Sequence, residues 1–231
     1  MTALIYHGAT PCAATAAALA RTAGTAPAPL IIVSTFSRGG SSLTLQMLDA
    51  AGVACVGHAP DFEDARTTQA DTLTDLLADL PTDTPCAVKL LEPQRLNLAP
   101  RTLDRPVRVV WLDRDPKQRA ASVLKFSASL DPRINTNSKA RKALAASFVK
   151  DQKTARRALQ TAFPSHLQTL SFEQLVTEPL ESAQALCYLA GLDPSQPRLE
   201  AMVACLHPRS PACLPHMLEI DLINTAERAA S

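Results

Sequence analysis

The sequence predicts a three-layer α/β fold, a parallel sheet with helices on both faces. Three observations carry that prediction. Leu30-Ile31-Ile32-Val33 is an unbroken apolar run rich in β-branched residues, the pattern of a strand buried on both faces. Strand-like runs then alternate with helix-period segments along the chain, as repeated β-α units do. Glycine, proline and Asp/Ser punctuation stands where the units change over.

The elements follow in order. Thr25-Ala26-Pro27-Ala28-Pro29 interrupts a first Ala-rich stretch, which reads as an N-terminal arm or helix over 1–29. After the run at Leu30–Val33, Ser34–Gly40 is a loop. From Ser41 a helix is predicted, with Leu43, Met47, Leu48 and Ala51 on one face and Gly52 at the C′ position. Ala87–Leu91 and Val107–Leu112 read as the second and third strands. Asp115 supplies an N-cap and Pro116 a first helical position for a helix to about Ala128. Ser138–Thr161 is a basic amphipathic helix or helix pair, and Leu167–Ser171 a fourth strand. Pro179–Ala190 is a helix closed by Gly191. Beyond Leu206, Pro208, Pro211 and Pro215 predict an irregular tail over 206–231 with one short helix. With no internal repeat or low-complexity linker, the 231 residues read as a single domain.

Bulk properties exclude several roles. The 23 basic and 22 acidic residues leave a net charge of +1, without the basic excess of a general nucleic-acid binder. Any anion site is therefore local. The six cysteines form no Cys-x-x-Cys pair; Cys205, His207 and Cys213 approach a metal cluster but lack a fourth ligand, so no metal is expected. Scattered thiols fit a reducing, cytoplasmic setting. No Lys or Arg precedes Arg21, unlike a signal peptide, and Pro11–Ala20 is too short to span a bilayer, so no membrane span is expected.

The informative segment is Leu30–Leu43. A buried strand delivers the chain to Gly39 and Gly40, and a helix starts just after. A helix start offers unpaired N–H groups and a partial positive charge. Glycines let the backbone approach an anion closely, Ser41 and Ser42 cap the helix or donate hydroxyls, and Arg38 adds a guanidinium fork. A simpler reading is a turn that only caps the helix. No lysine follows Gly40, so this is not the Gly-x4-Gly-Lys-Ser/Thr loop of ATP and GTP sites. A second anion site stands at the end of the third strand: Arg114, with Ser122 eight positions on in the next helix. Ligands of open α/β sheets bind at that edge, so Arg114 and Arg38 are expected on one rim. The alternative for Arg114 is an ion pair with Asp113 or Asp115.

Together these segments resemble the sulfotransferase family. Ser37-Arg38-Gly39-Gly40-Ser41-Ser42-x-x-Leu45 resembles its 5′-phosphosulfate loop, Pro-Arg/Lys-Ser-Gly-Thr-Ser/Thr. Val109-Val110-Trp111-Leu112-x-Arg114-Asp115-Pro116-x5-Ser122 is similar to its 3′-phosphate motif, with the same Arg-to-Ser spacing. Leu170-Ser171-Phe172-Glu173-Gln174-Leu175 before Pro179 resembles Tyr-Glu-Asp-Leu, and Leu189-Ala190-Gly191-Leu192 resembles Phe-Leu-Gly-Leu. The resemblance implies a P-loop nucleoside-kinase-like sulfotransferase fold and 3′-phosphoadenosine 5′-phosphosulfate (PAPS) as donor. It implies Ser37, Arg38, Gly39, Gly40, Ser41 and Ser42 around the 5′-phosphosulfate, Arg114 and Ser122 at the 3′-phosphate, and Phe172 near the adenine.

The chain departs from the cytosolic members. Their Lys-Thr-His-x-Pro is here Lys89-Leu90-Leu91-Glu92-Pro93, without the catalytic His, and their late Arg-Lys-Gly is absent, Arg209 being the nearest basic residue. It is closer to short bacterial members and to the protein-tyrosine or heparan type, which place a carboxylate base after the first helix. Sulfuryl transfer builds charge on the leaving oxygen, for which Lys89 and Arg38 are the expected stabilisers. The candidate proton acceptors are His58 and Glu63, the remaining alternative being neither. His58 falls where tyrosine-sulfating relatives carry their glutamate; Glu63 falls where some bacterial members carry one. The basic stretch from Lys139 to Arg157 reads first as a solvated face, and second as the lining of an entrance. The expected activity is sulfuryl transfer to a hydroxyl or amine of a small molecule or saccharide. The alternatives are a non-catalytic nucleotide-binding module and a P-loop-like phosphotransferase. Acceptor identity and oligomeric state are not legible.

Overall fold

The computed structural model describes residues 27–64, 72, 80–95, 98 and 105–206. Residues 1–26 of the arm expected over 1–29, and 207–231 of the tail expected over 206–231, lie outside the described residues, as do His207, Arg209 and Cys213. In chain order the elements are β1 (Leu30–Thr35), α1 (Ser41–Ala50), β2 (Ala54–Cys55), β3 (Cys86–Leu91) and β4 (Val107–Asp113). There follow α2 (Pro116–Leu130), α3 (Ser138–Ala162), β5 (Leu167–Ser171), α4 (Phe172–Thr177), α5 (Pro179–Ala190) and α6 (Gln196–Val203). Short 3-10 turns occupy Pro93–Arg95 and Ala204–Leu206.

The strands form one sheet in the order β2-β3-β1-β4-β5, every pairing parallel. The β-branched run becomes the central strand, and all six residues of β1 are buried. Successive side chains point to opposite faces. Ile31 and Val33 therefore join a core with residues of α1, α4, α5 and α6. Leu30 and Ile32 join a second core with Trp111 and with Ala155 and Leu159 of α3. These two cores separate the three predicted layers.

Order decides where a ligand fits. From β1 the chain runs toward β2 at one edge; from β4 it runs toward β5 at the other. The carboxyl ends of β1 and β4 are neighbours whose connections diverge, and such a switch point opens a crevice. Two buried hydroxyls pin that end of β1. Ser34 Oγ donates to the Leu90 carbonyl (2.8 Å), and Thr35 Oγ1 donates to the Leu112 carbonyl (2.9 Å). At the opposite end of the sheet Arg105 donates to the carbonyls of Ala28 (2.9 Å), Pro29 (3.2 Å), Thr84 (3.1 Å) and Pro81.

Helix punctuation behaves largely as expected. The Asp115 carboxylate accepts from the backbone N–H groups of Lys117 (2.9 Å) and Gln118 (2.8 Å), capping α2. The predicted helix or helix pair is a single 25-residue helix, capped by Asn137. Three elements escaped the sequence reading: β2, of two residues; α4, of six; and α6. The first two are too short for a periodic signal, and α6 lies in a proline-bounded stretch. Among the described residues no helix is long and apolar enough to cross a membrane.

Candidate active site

The loop after β1 turns tightly, with the Gly39 N–H donating to the Phe36 carbonyl (3.0 Å). Arg38 takes a left-handed conformation (φ +62°) and Gly40 a more extreme one (φ +102°). Both glycines are sterically required. A Cβ at Gly39 would land on the Thr35 hydroxyl, and one at Gly40 would lie 2.5 Å from the Phe172 ring. Gly40 itself occupies the N-cap of α1 without a side-chain cap bond, so Ser41 and Ser42 are not the caps that the sequence suggested. The helix supplies no carbonyl to the N–H groups of its first turn.

The β4 end meets this loop directly. The Arg114 guanidinium, 1% exposed, donates through Nη1 to the Arg38 carbonyl (2.7 Å). Its other face lies 4.0 Å from the centroid of the Phe172 ring. Arg38 in turn donates through Nε to Ser122 Oγ on α2 (3.3 Å) and lies over Phe126 at 5.3 Å. The two arginines thus share one rim, linked through the loop backbone and closed by Ser122. Glu173 braces the arrangement: its carboxylate accepts from the Asp115 N–H (3.0 Å) and from Ser171 Oγ (2.9 Å), tying α4 to the start of α2.

Phe172 sits beneath this loop. It is fully buried, packed between Gly40 and Arg114, and belongs to the core on the α1 side. Its ring forms a floor under the loop. A phenyl ring lacks the hydroxyl that brings a tyrosine toward water, so complete burial leaves no polar group unsatisfied.

A second cluster forms on the other flank of the loop. Lys89 pairs in register with Val33 and shares its face with Ala87, which points it toward α1. It lies within β3 rather than at its end, and is 2% exposed. Its ammonium donates to Ser42 Oγ (3.2 Å) and to the Asp61 carbonyl, and stands 3.9 Å from Glu63 Oε1. Burial pushes the Lys89 pKa below its ordinary value; nearby Glu63 and Asp61 oppose that shift, and Arg38 adds to it. Ser42 Oγ also donates to the Asp61 carbonyl (3.2 Å).

His58 stays apart. It is exposed, and its imidazole makes no hydrogen bond or ion pair with a described residue. The loop carrying both candidates folds back because the Phe62 N–H donates to the His58 carbonyl (2.8 Å) and the Phe62 side chain is buried in the core. Glu63, next in sequence to that anchor, is carried to Lys89. Ser37 is exposed at the outer edge of the loop.

Sequence reasoning missed Glu173, Phe126, Asp61 and Arg119. The capping pattern at this helix is Ser171-x-x-Gln174, so no local pattern marks the first. Arg119, fully buried on α2, lies 5.7 Å from the Phe148 ring and has none of its three guanidinium nitrogens hydrogen-bonded. Among the described residues no three His, Cys, Asp or Glu gather as a metal site.

The chain is similar in fold to the sulfotransferase STF1 from Mycobacterium tuberculosis, with a TM-score of 0.50, 13% identity, and coverage of 91% of this chain and 82% of that one. Retinol dehydratase in complex with androsterone and PAP aligns at TM-score 0.49 and 16% identity, over 84% of this chain and 68% of that one. Mouse sulfotransferase SULT7A1 complexed with PAP aligns at TM-score 0.49 and 11% identity, over 84% and 74%. No curated protein matches the chain. The sulfotransferase domain family model matches residues 28–207, a span holding β1, the glycine loop, Lys89, Arg114, Ser122 and Glu173. The match covers most of the 231 residues, and the chain belongs to the sulfotransferase domain family.

Proposed function

We propose that this sulfotransferase takes its sulfuryl group from PAPS and passes it to a hydroxyl or amine of a small molecule or saccharide. The observation that carries the reading is the continuous chain Arg114–Arg38–Ser122 across the β1/β4 crevice. It offers two guanidinium groups and a hydroxyl to a bisphosphorylated adenosine, with the first turn of α1 beside them.

In this reading the 5′-phosphosulfate lies along Arg38–Ser42, and the 3′-phosphate displaces the bond between Arg38 and Ser122. The acceptor oxygen or nitrogen attacks sulfur in line, the bond from sulfur to the bridging phosphate oxygen breaks, and adenosine 3′,5′-bisphosphate leaves. Negative charge grows on the bridging oxygen, where Lys89 and Arg38 stabilise it. Lys89 is suited to this because Ser42 and the Asp61 carbonyl hold its ammonium in place. Glu63 takes the acceptor proton: it is exposed toward an incoming substrate and lies 3.9 Å from Lys89. His58 lacks any such link.

Calorimetry and turnover test this. Arg114→Ala is expected to weaken adenosine 3′,5′-bisphosphate by at least about tenfold, roughly 1.4 kcal/mol. Glu63→Gln is expected to lower donor turnover about 10²-fold or more, while His58→Ala stays near the parent. Unchanged nucleotide affinity in Arg114→Ala sinks the phosphate assignment. A larger loss in His58→Ala than in Glu63→Gln reverses the choice of base.

A further inference from the structure

Charge is divided unevenly along this chain. The segment 116–162, the α2–α3 hairpin, holds eleven Lys and Arg against two Asp, a net +9. The other 184 residues carry 12 basic and 20 acidic, a net −8. The near-neutral total conceals this.

The hairpin does not neutralise itself. Asp131 is held by Arg133 through two 2.9 Å bonds, and Asp151 accepts from Ser147 Oγ (2.9 Å). The side chains of Lys139, Arg141, Lys142, Lys150, Lys153 and Arg157 are exposed and make no hydrogen bond or ion pair with a described residue. Lys139, Arg141 and Lys142 crowd the first turns of α3, where the helix dipole favours anions and no acidic residue stands. Their position works against helix stability, so the fold does not account for it.

The same hairpin exposes apolar groups. Among the described residues, the exposed large hydrophobics include Phe126, Leu130, Ile134 and Val149, all within it. Leu130, at the end of α2, is 72% exposed. Leu130 ends α2 and Ile134 lies in the connecting loop, four residues before α3 begins. Apolar side chains at a hairpin tip, followed along the chain by the exposed Lys139, Arg141 and Lys142, match the interface of a bilayer with anionic head groups. A soluble polyanion would engage the cations and leave the apolar tip unused.

We infer that the α2–α3 hairpin docks on an anionic lipid surface, with Leu130 and Ile134 entering the interface and the α3 cations on the head groups. Phe126 lies against Arg38, and Ser122 bonds to it, so the docked face is continuous with the crevice. That the acceptor is presented at this surface rests on the proposed function; the docking itself does not.

Co-sedimentation with phosphatidylcholine vesicles, with and without phosphatidylglycerol, tests the docking with no donor present. A failure there leaves the nucleotide reading untouched. The full chain is expected to bind only the anionic vesicles and to release them at high salt. Lys139→Glu/Lys142→Glu is expected to weaken binding more than about tenfold, while its melting temperature stays level or rises because the helix start gains acidic residues. Leu130→Ser/Ile134→Ser is expected to weaken it about tenfold with nucleotide affinity unchanged. Equal binding to both vesicle types overturns the inference. So does capture on immobilised heparin without vesicle binding, or a tip variant that binds as the parent does.

Discussion

Replacing Gly40 by alanine tests the site and the fold together. Gly40 sits at φ +102°, ψ 5°, outside the comfortable range of an L-residue. Holding alanine there costs about 1–2 kcal/mol. Its Cβ would also lie 2.5 Å from Phe172 Cδ2 and 3.1 Å from Cε2. Phe172 has nowhere to retreat, being fully buried beneath the Arg114 guanidinium at 4.0 Å. Overpacking of that kind costs about 1–3 kcal/mol more. The sum, about 2–5 kcal/mol, corresponds to a loss of roughly 4–20 °C in melting temperature for a domain of this size. Urea titration measures it, and calorimetry with adenosine 3′,5′-bisphosphate reads the displaced loop. Adding Phe172→Leu separates the causes: it relieves the collision but not the backbone strain, so the double variant is expected to recover about 1–2 kcal/mol relative to additivity. A Gly40→Ala protein within about 0.5 kcal/mol of the parent, or strictly additive single variants, refutes the reasoning.

Arg119 is expected to behave in the opposite sense. Burial lowers its pKa to about 10, with Arg114 adding to the shift and Asp113, Glu173 and Asp115 opposing it. A depressed folded-state pKa in a cation means the charged form is disfavoured on folding. That cost is fully present at neutral pH and fades only as pH rises through about 10. Arg119→Leu should therefore stabilise the protein by about 2 kcal/mol between pH 6 and 8, measured by urea titration, with the gain shrinking above pH 10. Asp113 keeps partners in that variant, since the Arg114 N–H and Gln152 Nε2 both donate to it (3.1 Å each). A loss of stability in Arg119→Leu contradicts the assignment. Arg105→Ala strips hydrogen bonds from four carbonyls at the amino-terminal end of the sheet and is expected to cost about 2–4 kcal/mol; a change below about 0.5 kcal/mol would show the clamp to be redundant.

Much of the architecture was legible because burial on two faces leaves a mark in composition. A strand covered by helices above and below has no polar side to show, and Leu30–Val33 shows none. The glycine loop was legible for a related reason, since few residues other than glycine tolerate the backbone at Gly40 or the contact with Thr35 at Gly39. The Asp115-Pro116 start of α2 and the Gly191 end of α5 are local hydrogen-bond and backbone requirements, carried by one or two residues each.

What the sequence determined alone was the order of β-α units, the glycine loop after β1 and the arginine expected to share its rim. Which carboxylate or imidazole meets Lys89 was decided only by tertiary structure. His58 and Glu63 are five positions apart on one loop, and counting residues does not separate them. The anchoring of Phe62 in the core does, because it brings Glu63 to within 3.9 Å of Lys89 and leaves His58 in water. Phe172 illustrates the same limit: motif alignment gives its place in the chain, but only the assembled fold shows what packs on both sides of the ring. Contacts such as Arg114 on the Arg38 carbonyl join residues 76 positions apart. Pairing at that separation is set by parallel register across β1 and β4, a property of the assembled sheet rather than of any segment.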